Sequence, residues 1–232
     1  MFRALFLLAA SAAAVTALAQ QPAPLVGSLD AGVYTSPTGA FKIEVPVLPT
    51  LGGAVHDTDN AVIFRDNFGT LITIAAFKQD ASQRWELSTR GIKDYVIYFF
   101  KTFVYEDFKH LFPKAQLESA GFSADYLEGA LFTYVLLPGG SMFASPNPFG
   151  SAGDPPVAKR GNLTFVRNGF TFVISTELSE RVTEGSRYHR TTEEENKILR
   201  ARLVDVARRI QFAKPAAQPL PGSAPTQAPQ QP

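Results

Sequence analysis

The stretch NLTFVRNGFTFVISTEL, residues 162–178, constrains the fold more than any other. Apolar and polar residues alternate on both sides of Asn168-Gly169. An Asn-Gly pair supplies the two positive φ values of a type I′ turn, whose twist matches that of paired antiparallel strands. A chain that turns back on itself this way builds its sheet from hairpins. The pattern recurs in NAVIFRDNFGTLITIAAF, residues 60–77, where strands over Ala61–Arg65 and Thr70–Phe77 flank Asp66-Asn67-Phe68-Gly69. In GVYTSPTGAFKIEVP, residues 32–46, Ser36-Pro37-Thr38-Gly39 is turn chemistry. Phe41, Ile43 and Val45 then alternate with Lys42 and Glu44, the pattern of a half-buried strand. Pro46 and Pro49 stop it, because proline cannot donate to a ladder. Residues 115–137 have strand composition, with turn points at Gly121 and Glu128-Gly129.

Two segments carry the helical period instead. In residues 88–113, Ile92, Tyr95, Val96, Phe99 and Phe103 recur at helical spacing, with Ser88 as N-cap and Pro113 as the stop. Gly91 weakens the first turn, and the aromatic and β-branched residues also suit strands. In residues 191–212, Thr191 with Glu194, or Thr192 with Glu195, fits a capping box. Leu199, Leu203, Val206 and Ile210 form one apolar stripe, while Lys197, Arg200, Arg208 and Arg209 face water. Acids lead and bases trail, which suits the helix dipole. Hairpins interrupted by helices predict an α+β domain over 32–212: an antiparallel β-sheet covered by two main helices, about 88–112 and 192–211.

The ends read differently. MFRALFLLAASAAAVTALAQQP has one charge at Arg3, a short apolar run and small residues before Gln20. That order predicts a secretory signal peptide over 1–19, cleaved after Ala19, with 20–31 as an N-terminal segment. As a membrane span the run is marginal, and an uncleaved N-terminal anchor is the alternative. Its removal takes one Arg from the 22 Lys and Arg, leaving them equal in number to the 21 Asp and Glu. Nucleic-acid binders carry a basic excess, so that partner is set aside. The chain has no Cys, so it exports without disulfides and relies on burial alone, which about 190 residues can supply. A bacterial periplasm fits this composition. Residues 213–232, AKPAAQPLPGSAPTQAPQQP, read as a disordered, solubilising tail.

The opening YTSPTGAFKIEVP and the closing LRARLVDVARRIQF resemble the PsbP-like fold. That family includes the extrinsic lumenal protein of photosystem II and a Ran-binding nuclear import factor. Gly39, Phe41, Ile43 and Pro46 match its opening strand. The chain departs where members often place a Trp soon after that Pro: here stand Val47-Leu48-Pro49, and Trp85 lies elsewhere. The resemblance implies a non-catalytic accessory or binding role.

Catalytic motifs are missing. There is no Cys nucleophile, no G-x-S-x-G, no S-x-x-K, no H-E-x-x-H and no Gly-rich phosphate loop, and His56, His110 and His189 lie far apart. No metal or other cofactor is implied. Asp57 and Asp59 sit in an acidic stretch, but an EF-hand loop counted from Asp57 would need Gly and Glu where Val62 and Phe68 stand, so it reads as a solvated turn. Arg187, His189 and Arg190, just before the last helix, form a speculative anion site, against which Glu193, Glu194 and Glu195 compete. The sequon at Asn162 reads as coincidence.

The long loop 138–161 exceeds the ~12–15 residues beyond which structureless loops are usually functional or disordered. Its Met142, Phe143 and Phe149 either fold back on the core or contact a partner protein. The leading reading is an exported non-enzymatic accessory or protein-binding module. Two alternatives stand beside it. One is a small-molecule or lipid carrier using a pocket beneath the aromatic stripe Tyr95–Phe103. The other is a carboxylate-based envelope hydrolase.

Overall fold

The computed structural model describes residues 24–144 and 155–214; the expected signal segment 1–19, Phe149 and the expected tail beyond Lys214 lie outside them. Seven antiparallel strands form the large sheet in the order β4-β5-β6-β10-β9-β8-β7. They are β4 (Ala54–Asp57), β5 (Ala61–Arg65), β6 (Leu71–Lys78), β7 (Gln116–Ser123), β8 (Ala130–Pro138), β9 (Val157–Arg167) and β10 (Phe170–Glu177). A smaller sheet, β1-β2-β3-β11, joins β1 (Ser28–Asp30), β2 (Val33–Thr35), β3 (Phe41–Glu44) and β11 (Gln211–Phe212). The α+β reading holds, and the fold adds this second sheet.

The β9–β10 hairpin forms as its turn chemistry requires, with Asn168 at φ 51° and Gly169 at 77°. Both strands are buried along most of their length on both faces, which places the hairpin at the centre of three layers. Phe165 stacks on Phe172 at 5.2 Å, and Phe212 meets both edge-on. One face of the sheet packs Leu163, Phe165, Phe172 and Ile174 against α4 (Thr192–Arg209) and against Tyr34, Phe41 and Ile43 of the small sheet. The opposite face packs Leu131, Val135 and Val173 against Tyr95, Val96, Phe99 and Phe100.

The second of those layers corrects the expected helix. It starts at Ala81, not Ser88: Asp80 is the N-cap, in a capping box with Gln83, and Ser88 lies inside, its hydroxyl donating to the Trp85 carbonyl. Gly91, at φ 74°, kinks this α1 (Ala81–Phe99). Phe100–Tyr105 then form a π-helical segment before α2 (Glu106–Leu111). In α4 the Thr191–Glu194 capping box is present in both directions. The four stripe residues are buried, and the helix gives way at Ile210 so that Gln211 and Phe212 pair with β3.

Other boundaries move for identifiable reasons. Gly121 is not a turn but lies within β7; the chain reverses at Leu127, Glu128 and Gly129, all at positive φ. Residues 157–161 are strand rather than loop, since Pro138 pairs with Val157 and the Gly139 N–H donates to the Pro156 carbonyl. The loop is therefore 139–156. Lys159 and Arg160 disguise that strand end, because buried acids hold both. The N-terminal segment enters the small sheet at Ser28. A short helix, α3 (Glu180–Thr183), follows β10. Among the described residues no helix is long and apolar enough to cross a membrane.

Candidate functional site

A broad apolar groove of about 1,080 Å³ lies between the two sheets. Leu29 of β1, Val45 just after β3, Leu48 and Val55 of β4 line it, with Glu44, His56 and Arg65 at its rim. Proline directs this region. Pro46 ends the third strand, and Pro49 opens a single 3₁₀ turn over Pro49–Leu51 that closes on Gly52 in the left-handed conformation. The turn leaves Leu48 60% exposed and Leu51 39% exposed, so neither side chain is spent on the core.

Asp57 fixes the other wall. Its carboxylate accepts from the Val26 N–H (2.9 Å), the Gly27 N–H (2.7 Å) and the Tyr34 hydroxyl (2.8 Å), tying the entering chain across the end of β4. Burial works to raise this carboxyl's pKa, but the three hydrogen bonds together outweigh it and hold the group below the usual carboxylate range. Burial, then Asp57, pushes the Tyr34 phenol up. Asp57 is therefore a strand residue with its oxygens committed, not part of a solvated turn. Among the described residues no three His, Cys, Asp or Glu side chains converge.

The groove is flanked by strand edges. β1 and β4 each end their sheet. The Thr58 N–H donates to the Ala61 carbonyl, and β4 pairs His56 with Ile63. By the alternation of an antiparallel ladder, Val55 and Asp57 turn their main-chain groups away from β5. An apolar slot between two strand edges that are unpaired among the described residues suits an extended segment, which adds main-chain hydrogen bonds to side-chain burial.

The apolar surface continues along one end of the large sheet. The Asn67 N–H donates to the Leu51 carbonyl, which brings the 66–69 turn and the 75% exposed Phe68 beside the 3₁₀ turn. The register places Arg65, Leu71, Thr176 and Arg160 at this same end, which is also where β8 runs into the 139–156 loop. There the Ser141 hydroxyl donates to Glu177 at 2.5 Å and the Met142 N–H at 3.2 Å. Met142 is 51% exposed and Phe143 is half-buried, while Phe149 lies outside the described residues. β5 and β8 are four strand spacings apart, roughly 19 Å.

The expected anion residues each have other neighbours. Arg190 lies 3.6 Å from Glu184 and stacks over Tyr188, Arg187 ends a 3₁₀ turn, and His189 is exposed. The sequon residue Asn162 is buried in β9. Of the aromatic stripe, Tyr95 and Phe99 are core, the Tyr95 hydroxyl sharing a hydrogen bond with Thr171, and Phe103 is half-exposed.

Sequence reasoning missed a buried charge network on the α4 side of the large sheet. Lys159, wholly buried, sits 2.5 Å from Glu118 and donates to Glu195 at 2.9 Å. Glu195 also accepts from Arg181 (2.5 Å) and Tyr188 (2.7 Å). Burial alone would raise the Glu195 pKa; the donors Lys159 and Tyr188 and the Arg181 charge bring it below the usual range. A glycosidase needs one carboxyl held protonated to act as acid. Here the lysine stands between the two acids and favours the charged form of Glu195, which argues for a structural tie of α4 and α3 to β9. One signal was available: a Lys-Arg pair within an apolar stretch that continues β9 toward the loop.

No family model matches the chain, and no curated protein does. Solved structures do. The solution structure of cyanobacterial PsbP from Synechocystis sp. PCC 6803 is similar at 13% identity and a TM-score of 0.45, over 81% of this chain and 99% of that one. The Ran-binding protein Mog1p of Saccharomyces cerevisiae is similar at 13% identity and a TM-score of 0.40, over 80% and 96%. A Bacteroides thetaiotaomicron protein matches at 14% identity and 0.35, over 79% of this chain and 48% of its own. The first two are the kinds of protein that the sequence resemblance named, at a remote level.

Proposed function

We propose that this protein is an exported, non-enzymatic binding module that takes an extended apolar segment of a partner protein into the groove between β1 and β4. The observation that carries this reading is the slot itself: two unpaired strand edges with Leu29, Leu48 and Val55 between them. Phe68 and Met142 extend the contact across the same end of the sheet, within the breadth of one ordinary interface. Residues 1–19 are the export signal, and the mature chain works in the bacterial periplasm.

Site-specific photo-cross-linking in the native host tests the reading. A cross-linker at Leu48 captures one protein of defined mass, with the contact mapping to a β-strand-forming apolar segment, while a cross-linker at Lys197 on α4 captures none. Equal capture at both positions, or none at Leu48 and Met142, overturns it. N-terminal sequencing of the envelope form gives Gln20 as the first residue; a retained Met1 refutes the export assignment.

A further inference from the structure

A second cavity, separate from the groove, lies between the π-helical segment and the strands β7 and β8. It measures about 510 Å³, inside the ~300–1,000 Å³ range of small-molecule sites. Its walls are apolar, with Ile97 and Phe100 from the helix and Leu117, Phe122 and Leu131 from the strands. Two further lining residues, Lys93 and Lys101, are exposed, and neither belongs to an ion pair among the described residues. The cavity lining contains no acid. Its mouth is therefore cationic.

The strand wall adds an independent observation. Thr133 lines the cavity, is 1% exposed, and its hydroxyl has no hydrogen-bond partner among the described residues. Strand pairing continues the row from Thr133 to Asn162 and then Ser175, both buried and both without side-chain partners. Buried polar groups are ordinarily satisfied, and leaving them bare costs stability. Over this row the helix packs the apolar Val96, Phe99 and Phe100, and the hydroxyl of its buried Tyr95 is already shared with Thr171. The geometry is also suited to admit a guest. π-helical turns recur at functional sites, and β7 is an edge strand with a bulge between Leu117 and Ser119.

From these observations we infer that the cavity binds an apolar organic anion carrying a second polar group: a carboxylate between Lys93 and Lys101, an aliphatic body along the walls, and a hydroxyl reaching Thr133. Binding of 10-hydroxydecanoate, decanoate and decyltrimethylammonium to the full mature chain, each below its micelle concentration, tests it by calorimetry. The hydroxylated carboxylate binds saturably and at least tenfold more tightly than the cation, with decanoate between them. Lys93→Glu with Lys101→Glu weakens both carboxylates at least tenfold. Ala120→Trp, at an exposed edge-strand position lining the cavity, abolishes binding with the far-ultraviolet circular dichroism unchanged. Thr133→Val removes the preference for the hydroxylated ligand but keeps decanoate binding, a readout that a merely structural role would not move. Equal binding of the cation, an unaffected double variant, or no saturable binding overturns the assignment.

Discussion

Replacing Lys159 by Met isolates the buried charge network. The lysine is wholly buried; Glu195 accepts its hydrogen bond, and Glu118 makes an ion pair with it. Removing one partner of a buried pair costs about 3–5 kcal/mol, because the remaining charge is left without compensation. Here Glu195 keeps Arg181 and Tyr188, and Glu118 is 18% exposed, which puts Lys159→Met at the lower end, about 3 kcal/mol. For a chain of this size that lowers the melting temperature by roughly 6–12 °C. The loss also depends on pH. Glu195 titrates below its ordinary value when folded, so its stabilising contribution is full above about pH 4.3 and fades as pH falls through the folded value. Lys159→Met removes part of that contribution, so the gap from wild type narrows as the pH drops. Urea unfolding of both chains at pH 7 and pH 3.5 measures it. A difference under about 1 kcal/mol at pH 7, or one that does not shrink at pH 3.5, refutes the idea that this network carries net charge stabilisation.

Three other substitutions test separate links. Asp57→Ala removes the acceptor for Val26, Gly27 and Tyr34; it costs about 2 kcal/mol near neutral pH, and limited proteolysis then cuts before Ser28. Because the Asp57 pKa is depressed, the charge-linked part of that cost begins to fade as pH falls below about 3.9 and is lost as pH falls through the folded value, and a cost that has not shrunk by pH 2.5 contradicts the account. Thr191→Ala loses the α4 cap and lowers stability by about 1 kcal/mol in chemical denaturation. Phe165→Ala empties the stack on Phe172 and costs about 3–5 kcal/mol, measured the same way; a loss under 1 kcal/mol would place the core elsewhere.

How much of the fold could be read depends on how local its causes are. Asn168-Gly169 is a turn whatever surrounds it, and the Thr191–Glu194 box with the Leu199–Ile210 stripe needs no distant partner. The start of α1 was legible too, since Asp80 and Gln83 form a capping box in sequence, but the aromatic period drew the boundary to Ser88. Val157–Gly161 was not legible. A Lys-Arg pair enters a buried strand because Glu118, Glu195 and Glu177 meet it, and those acids lie 17 to 41 residues from their partners. The small sheet was hidden for a similar reason, as β11 is two residues long and its partner β3 is the opening strand.

The candidate sites follow the same division. Apolar loop residues can be picked out from composition: Met142 lies open at one end of the sheet, while Phe143 is half-buried. A groove between two sheet edges has no linear signature: Leu29, Leu48 and Val55 look like ordinary strand residues, and the ties from Asp57 to Val26, Gly27 and Tyr34 bring their elements side by side. The cavity beneath Lys93 and Lys101 combines a helix with strands more than 15 residues further on, and its polar strand wall appears only once the register sets Thr133 beside Asn162 and Ser175. Long-range pairing both builds this core and brings these residues together. A variant that unfolds therefore says nothing about either site. The discriminating substitutions are the exposed ones, Leu48 for the groove and Ala120 for the cavity, where function is lost while the central hairpin stays intact.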